Sequence, residues 1–390
     1  MVITGLEKFA ARVPDKLKKK RLGVLCHAPS ITRDFRHITD IIAKSDECSL
    51  GAVFGPQHGL FGETQDNMIE WEGYVDKRLN VPVYSLYGLH RKPTADMLST
   101  IDALVVDIQD AGARLYTYIW TVKHCMEACT EAGIPVWVLD RPNPVGLLGC
   151  DGPVLKEEYY TFVGGASIPL CHSMTPAEMA VWIKEKHIPD CDLHVIGMDN
   201  WRRNSLYSDT GLPWVLPSPN LPTLSSAVVY SGMVLMEALN LSEGRGTTTP
   251  FELFGAPWLN AGLLVTELHS AKLPGCAFRV HNYIPTFNKY ANELCGGVQI
   301  HITDPALYKP VQTALHILDA VIRITGPGVM KFNPPPYEYE EILMPFDILS
   351  GDNKMRIHLE NRAPVKTETE RWNDEISFFL QEFRSIQLYK

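Results

Sequence analysis

Two glycine-spaced loops carry residue types from which hydrolytic chemistry is built. The first is Phe54-Gly55-Pro56-Gln57-His58-Gly59-Leu60-Phe61-Gly62-Glu63, and the second is Ser242-Glu243-Gly244-Arg245-Gly246-Thr247. Two carboxylates flanking a cleft suit glycoside hydrolysis. One, held protonated by burial or by a like charge, protonates the leaving oxygen, and the other acts as base or nucleophile. Glu243 and Glu63, with the His58 imidazole beside them, form the candidate catalytic set. The intervening glycines permit φ > 0 or a close approach of backbone to ligand.

Further polar groups fall where apolar runs end. They are Asp107, Gln109 and Asp110 with Arg114, then Asp140, Arg141 and Asn143, then His172 and Asn220. Neutral donors such as Gln57, Asn143, Asn220 and Thr247 suit sugar hydroxyls, and Asp110 and Asp140 can accept from them. Tyr116, with Tyr118, Trp120 and Trp258, offers aromatic faces for a ring. Arg245 is placed to grip a carboxylate through two parallel hydrogen bonds. Simpler readings stand beside these. Asp107 can be a buried group bonded to a neighbouring loop, Asp140-Arg141 an ion pair, Glu243-Gly244-Arg245 a turn held by its own charges, and His58 a satisfied loop histidine.

The elements that must position these groups are legible as hydrophobic patterns. Short apolar runs at 22–26, 50–54, 81–86, 103–110, 135–139 and 193–198 alternate with helical periodicity at 6–20, 34–45, 95–99 and 117–132. Gly133 reads as a C-cap, and Thr175-Pro176-Ala177-Glu178 as a helix start with a capping box. The alternation predicts an α/β fold with a doubly wound, mostly parallel sheet, whose carboxyl edge gathers the loops. The proline-rich stretch 214–222 reads as a rigid connector, which divides the chain into domains 1–215 and 216–390 with the active-site cleft between them. The second half continues with helices over 224–239, 305–324 and 370–384, strands at 278–280 and 297–302, and a loop over 333–341.

Composition excludes several classes. A net charge of −9 argues against nucleic-acid or membrane-surface binding, which calls for a basic face. The basic run Lys16–Arg21 reads as the solvated end of the first helix. No apolar stretch approaches a membrane span and no export segment opens the chain, so the cytoplasm is the expected compartment. The nine cysteines are an odd number with no C-x-x-C pair, and read as reduced core thiols. Cys125, Cys129 and His124 lack further ligands, so no metal is expected. Without G-x-G-x-x-G or a Walker loop, no nucleotide cofactor is expected, and the absence of G-x-S-x-G and H-E-x-x-H disfavours serine hydrolases and zinc peptidases. A small carbohydrate is the expected partner.

Six ordered segments carry a family resemblance: FGPQHGLFGETQ (54–65), VYSLYG (83–88), DIQDAGARLYTYI (107–119), LDRPNP (139–144), LPSPNLPT (216–223) and NLSEGRGTTTPFELFGAPW (240–258). In these the chain resembles the exo-β-N-acetylmuramidases, glycoside hydrolase family 171. The resemblance implies a Rossmann-like, mostly parallel sheet domain followed by a smaller α/β (α+β) C-terminal domain. It also implies release of terminal N-acetylmuramic acid, or a related amino sugar, from peptidoglycan fragments, as in cell-wall recycling. The lactyl carboxylate of that sugar would give Arg245 or Arg114 a partner. The resemblance further implies Glu, the candidate catalytic carboxylate, in a Gly-Pro-Glu-His-Gly motif where this chain has Gln57. Gln cannot transfer a proton at neutral pH. Glu63 or Glu243 then serves as the acid, or the chain has an altered specificity, or it binds sugar without cleaving it.

Overall fold

The computed structural model describes residues 1–66 and 68–389. Twelve strands are β1 (Arg21–Cys26), β2 (Ser49–Gly55), β3 (Tyr74–Asp76), β4 (Val81–Ser85), β5 (Ala103–Asp107), β6 (Val136–Leu139), β7 (Asp151–Val154), β8 (Pro169–Cys171), β9 (Leu193–Ile196), β10 (Leu253–Ala256), β11 (Cys276–Val280) and β12 (Gly296–Ile302). Seven form one sheet in the order β3-β4-β2-β1-β5-β6-β9. Every pairing in it is parallel except β3 with β4. The parallel strands follow the doubly wound order, with the topological switch between β1 and β5.

The period of two within the strands separates two cores. Leu25, Phe54, Leu104 and Val106 face a core that runs through the helix Tyr118–Ala132 and on to Val229, Leu318 and Trp372. Val24, Val53 and Val105 face the opposite way, under Leu6, Phe9, Ile38 and Ile42. Both faces are covered, which is why these strands read as continuous apolar runs. The second half adds an antiparallel sheet, β10-β12-β11. The helices Leu224–Met233 and Pro310–Thr325 cross there, with Gly232 at the crossing. A Cβ on Gly232 would lie 2.0 Å from the Pro310 carbonyl oxygen, so only glycine allows that approach.

Several boundaries differ from the sequence expectation. The first helix is Gly5–Ala11 and stops before Pro14, which lacks the N–H that a continuing helix needs. The basic run therefore falls on a short 3-10 turn and the start of β1, not on a helix end. The helix expected over 34–45 is confined to Ile38–Ala43, and that expected over 305–324 begins at Pro310, its N1 residue. The hairpin β7–β8 and the edge strand β3 are too short to carry a pattern. The capping box at Thr175 is present, with Glu178 N donating to Thr175 Oγ1 at 3.2 Å and Thr175 N to Glu178 Oε2 at 3.0 Å.

Side chains fill the switch point. The Gln109 backbone N–H donates to His27 Nε2 at 2.9 Å, and the Gln109 amide donates to the Pro142 carbonyl at 2.9 Å. Arg141 pairs with Asp107, with Nη2 2.8 Å from Oδ2. The crevice where a doubly wound sheet would seat a dinucleotide is packed with these groups.

Candidate active site

A narrow, partly open cavity lies to one side of that crevice. The loop after β2 supplies Gln57 and His58, the turn before the helix Tyr118–Ala132 supplies Tyr116 and Thr117, and the proline-rich connector supplies Ser218 and Asn220. The second half closes it with Tyr230, Glu237, Arg245, Phe251, Tyr337 and Glu338. Three roomier grooves lie elsewhere among the described residues, beside Phe9 and Phe35, beside Cys150 and Phe383, and beside Trp258 and Asn282, and none is lined by a buried carboxyl.

The loop after β2 is held by its own backbone. Gly59 has φ 88°, and a Cβ there would fall 2.0 Å from Glu63 Oε2. Glu63 folds back to accept the Phe61 N–H at 3.1 Å. His58 has φ 72° and its Nδ1 lies 2.7 Å from the Thr64 carbonyl oxygen. A carbonyl only accepts, so Nδ1 carries the proton. Burial pushes His58 down to about 4, which leaves Nε2 a bare acceptor at neutral pH. Gln57 Oε1 accepts the Thr117 hydroxyl at 2.7 Å, and the Glu338 carboxyl, which the Gln57 amide pulls toward its charged form, lines the same cavity.

Two carboxyls in the cavity have opposed surroundings. Glu237 Oε1 is 2.7 Å from Arg245 Nη1, and its Oε2 accepts the Tyr337 hydroxyl at 2.8 Å. Glu338 Oε2 accepts the Tyr87 hydroxyl at 3.0 Å. Burial, with the negative Glu237 adding to it, pushes Glu338 up to about 7 against the pull of Tyr87, Gln57 and Arg245. Glu338 and Tyr339 have φ of 44° and 69°, left-handed conformations that cost on the order of 1–3 kcal/mol each and persist where surroundings impose them. Arg91 lies 4.1 Å over the Tyr339 ring and holds that turn from outside.

Of the residues singled out from the sequence, Gln57, His58, Tyr116, Asn220 and Arg245 line the cavity. The others do not. Glu243 lies behind Arg245, buried, with Arg245 Nη1 at 3.1 Å and Lys289 Nζ at 2.9 Å. Burial pushes its carboxyl up, but the two cations outweigh that and hold it below the ordinary range, the reverse of what an acid needs. Glu63 is on the exposed rim, spent on its own loop. Arg114 is fully buried and donates to the carbonyls of Pro153, Ile168 and Leu349, so it ties segments together and does not face a ligand. Asp140 receives the Tyr389 hydroxyl at 2.6 Å and the Thr175 hydroxyl at 2.9 Å, and is not paired with Arg141. Asn143 bridges Met174 and Val145, Asp110 receives the Gly112 N–H, and Thr247 closes the turn at Gly244. These bonds hold segments of the fold together, some of them far apart in the chain.

Glu237 and Glu338 were not singled out. Glu237 is a lone acid in the apolar run Val234–Leu239, a pattern that marks a paired buried charge. Glu338, between two tyrosines in the 333–341 loop, carries no comparable signal.

Residues 22–225 match the family described as exo-beta-N-acetylmuramidase NamZ, N-terminal, and residues 228–389 match its C-terminal counterpart. The chain belongs to the NamZ exo-beta-N-acetylmuramidase family. It is therefore a glycoside hydrolase. It is 39% identical over 388 residues to the peptidoglycan beta-N-acetylmuramidase NamZ of Bacillus subtilis (strain 168), covering 100% of this chain and 91% of that one. A crystal structure of a DUF1343 family protein from Bacteroides fragilis NCTC 9343 superposes with a TM-score of 0.90 at 31% identity, over 100% of this chain and 99% of that one. A second protein of that description from the same strain gives 0.77 at 28% identity, with the same coverage. Both span the two sheets, so the NamZ-type architecture is an α/β sheet domain with a smaller sheet-bearing part behind it. No helix among the described residues is long and apolar enough to cross a membrane, and no group of three His, Cys, Asp or Glu among them could hold a metal ion.

Proposed function

We propose that this chain releases terminal N-acetylmuramic acid from peptidoglycan-derived saccharides by hydrolysis of the β-glycosidic bond. The observation that carries the reading is the cavity itself, where two buried carboxyls of opposite character meet uncharged donors and aromatic rings. Glu237 is ion-paired with Arg245, whereas Glu338 accepts the Tyr87 hydroxyl and is pushed up by burial to about 7, where a carboxyl can act as an acid.

Within it, Gln57, Asn220 and His58 Nε2 are placed for sugar hydroxyls, and the rings of Tyr116 and Tyr230 for a sugar face. Arg245 supplies the cationic side for the lactyl carboxylate: its Nη1 serves Glu237 and Glu243, while its buried Nε has no hydrogen-bond partner. We further propose that residues 1–215 and 216–390 act as the two walls of this site in the cytoplasm, on imported fragments.

The test is hydrolysis of two aryl glycosides, a β-N-acetylmuramide and the matching β-N-acetylglucosaminide that lacks the lactyl group. Release from the muramide at a clearly higher kcat/KM is expected. Equal rates on both, or none on the muramide, would overturn the assignment.

A further inference from the structure

Gln57 lines the cavity, and an amide cannot transfer a proton. Yet a carboxyl stands against that amide, delivered from 281 residues further along the chain at Glu338. We propose that Glu338 is the proton donor to the glycosidic oxygen and that Gln57 is its positioning residue. The assignment rests on the muramidase reading above and adds to it the residue that does the acid work.

Four observations carry it. Glu338 lines the cavity, whereas Glu243 and Glu63 do not. It accepts a hydrogen bond from an uncharged group, the Tyr87 hydroxyl at 3.0 Å, and the uncharged Gln57 amide lines the cavity beside it. Its neighbour Glu237 is already neutralised by Arg245, so the two carboxyls differ in what they can do. The backbone that presents it is left-handed at two consecutive non-glycine residues, fixed by Arg91 over Tyr339 and by Tyr337 on Glu237. Burial then keeps the proton on Glu338 to near neutral pH.

Gln57 acts through Glu338. Thr117 occupies Gln57 Oε1, which leaves the amide N–H groups for the Glu338 carboxyl in the same cavity, and rotating the amide would lose the Thr117 bond. In turnover, the Glu338 O–H proton passes to the bridging oxygen as the bond from that oxygen to the anomeric carbon breaks, and the aglycone leaves as an alcohol. Water supplies the hydroxyl that ends on the anomeric carbon. The proton water sheds restores the carboxyl pair, so one water is consumed and the protein is unchanged.

General acid assistance matters in proportion to how poor the leaving group is. The experiment compares wild type with Glu338→Gln on a muramyl–glucosamine disaccharide and on a nitrophenyl muramide whose leaving group needs no proton. A loss of about 10²–10⁴-fold in kcat on the disaccharide, with a much smaller loss on the nitrophenyl substrate, is expected. The alkaline fall of the wild-type pH profile should vanish for the variant on the nitrophenyl substrate. Equal losses on both substrates, or no loss on either, would overturn Glu338 as the acid while the muramidase reading stands. Glu338→Asp guards against simple misfolding: partial recovery on the disaccharide supports the role, and none in a folded variant counts against it. Failure of wild type on both substrates would overturn the muramidase reading, and the assignment with it.

Discussion

The Glu243 carboxylate is buried against Arg245, 3.1 Å from Nη1, with Lys289 Nζ 2.9 Å away on its other oxygen. Lys289 also donates to the carbonyls of Met236 and Leu241, so it ties the segment carrying Glu237 to the loop carrying Arg245. Removing one partner of a buried ion pair leaves the other charge uncompensated, a cost of about 3–5 kcal/mol. Glu243→Gln is therefore expected to destabilise the fold by that order and to raise KM through a displaced Arg245. The position of the alkaline limb should not move. Because Glu243 is held below its ordinary range when folded, its contribution is present above its unfolded pKa and is lost as pH falls through the folded one. Denaturant titration across pH checks this; a variant as stable as wild type but without turnover would make Glu243 the acid after all.

Glu338 and His58 tilt stability in opposite directions. Glu338 goes from 4.5 unfolded to about 7 folded, so the folded state binds more protons between those values and stability falls as pH rises through them. His58 goes from 6.5 to about 4, so stability rises with pH in the overlapping window. Asp140, raised by burial to about 7, adds a falling limb of its own. The wild-type curve is a sum, but the difference between Glu338→Gln and wild type isolates one member. The variant is expected to gain on wild type by on the order of 3 kcal/mol as pH rises from about 4.5 to about 7. Parallel curves for the two proteins would mean that the carboxyl is not held protonated by the fold.

Asp140 was legible as a strand-end acid, but its partners come from the far end of the chain. Tyr389 OH donates to Asp140 Oδ2 at 2.6 Å and accepts the Met198 N–H at 2.8 Å. Tyr389→Phe deletes both bonds and nothing else, an expected loss of about 1–3 kcal/mol from leaving buried groups unpaired. KM and kcat should stay at wild-type values, because Tyr389 is remote from the cavity lining. A changed KM with unchanged stability would return Asp140 to the substrate.

These cases show what the sequence could convey. Short apolar runs identified the six parallel strands, and the clearest of them, Ala103–Asp107, is buried at every residue. Gln57, His58, Tyr116, Asn220 and Arg245 were found because they stand in glycine- and proline-marked loops at strand ends. Arg114 and Asn143 stand in the same loops with the same chemistry, yet bond to backbone carbonyls. Residue type and loop position do not distinguish a side chain facing a cavity from one facing a neighbouring loop. Glu338 was invisible for the converse reason: its importance arises from contacts with Tyr87 and Gln57, far away in sequence, and from a backbone turn that no local pattern announces.

Gln57 offers the sharpest perturbation, since Gln57→Glu changes one atom type and keeps the shape. The Thr117 hydroxyl can still donate to one oxygen of the new side chain, and the other oxygen then meets Glu338. Two carboxyls in contact cannot both ionise readily, so they share a proton and the second one leaves only at higher pH. The variant is expected to keep its acid, with the alkaline limb of kcat/KM moved up by about one pH unit or more. The acidic limb should also appear lower, because the first proton of a coupled pair leaves early. Alkaline loss at the same pH as wild type, measured on the disaccharide, would mean that residues 57 and 338 are not in contact during turnover. A downward shift would mean that the acid lies outside this pair.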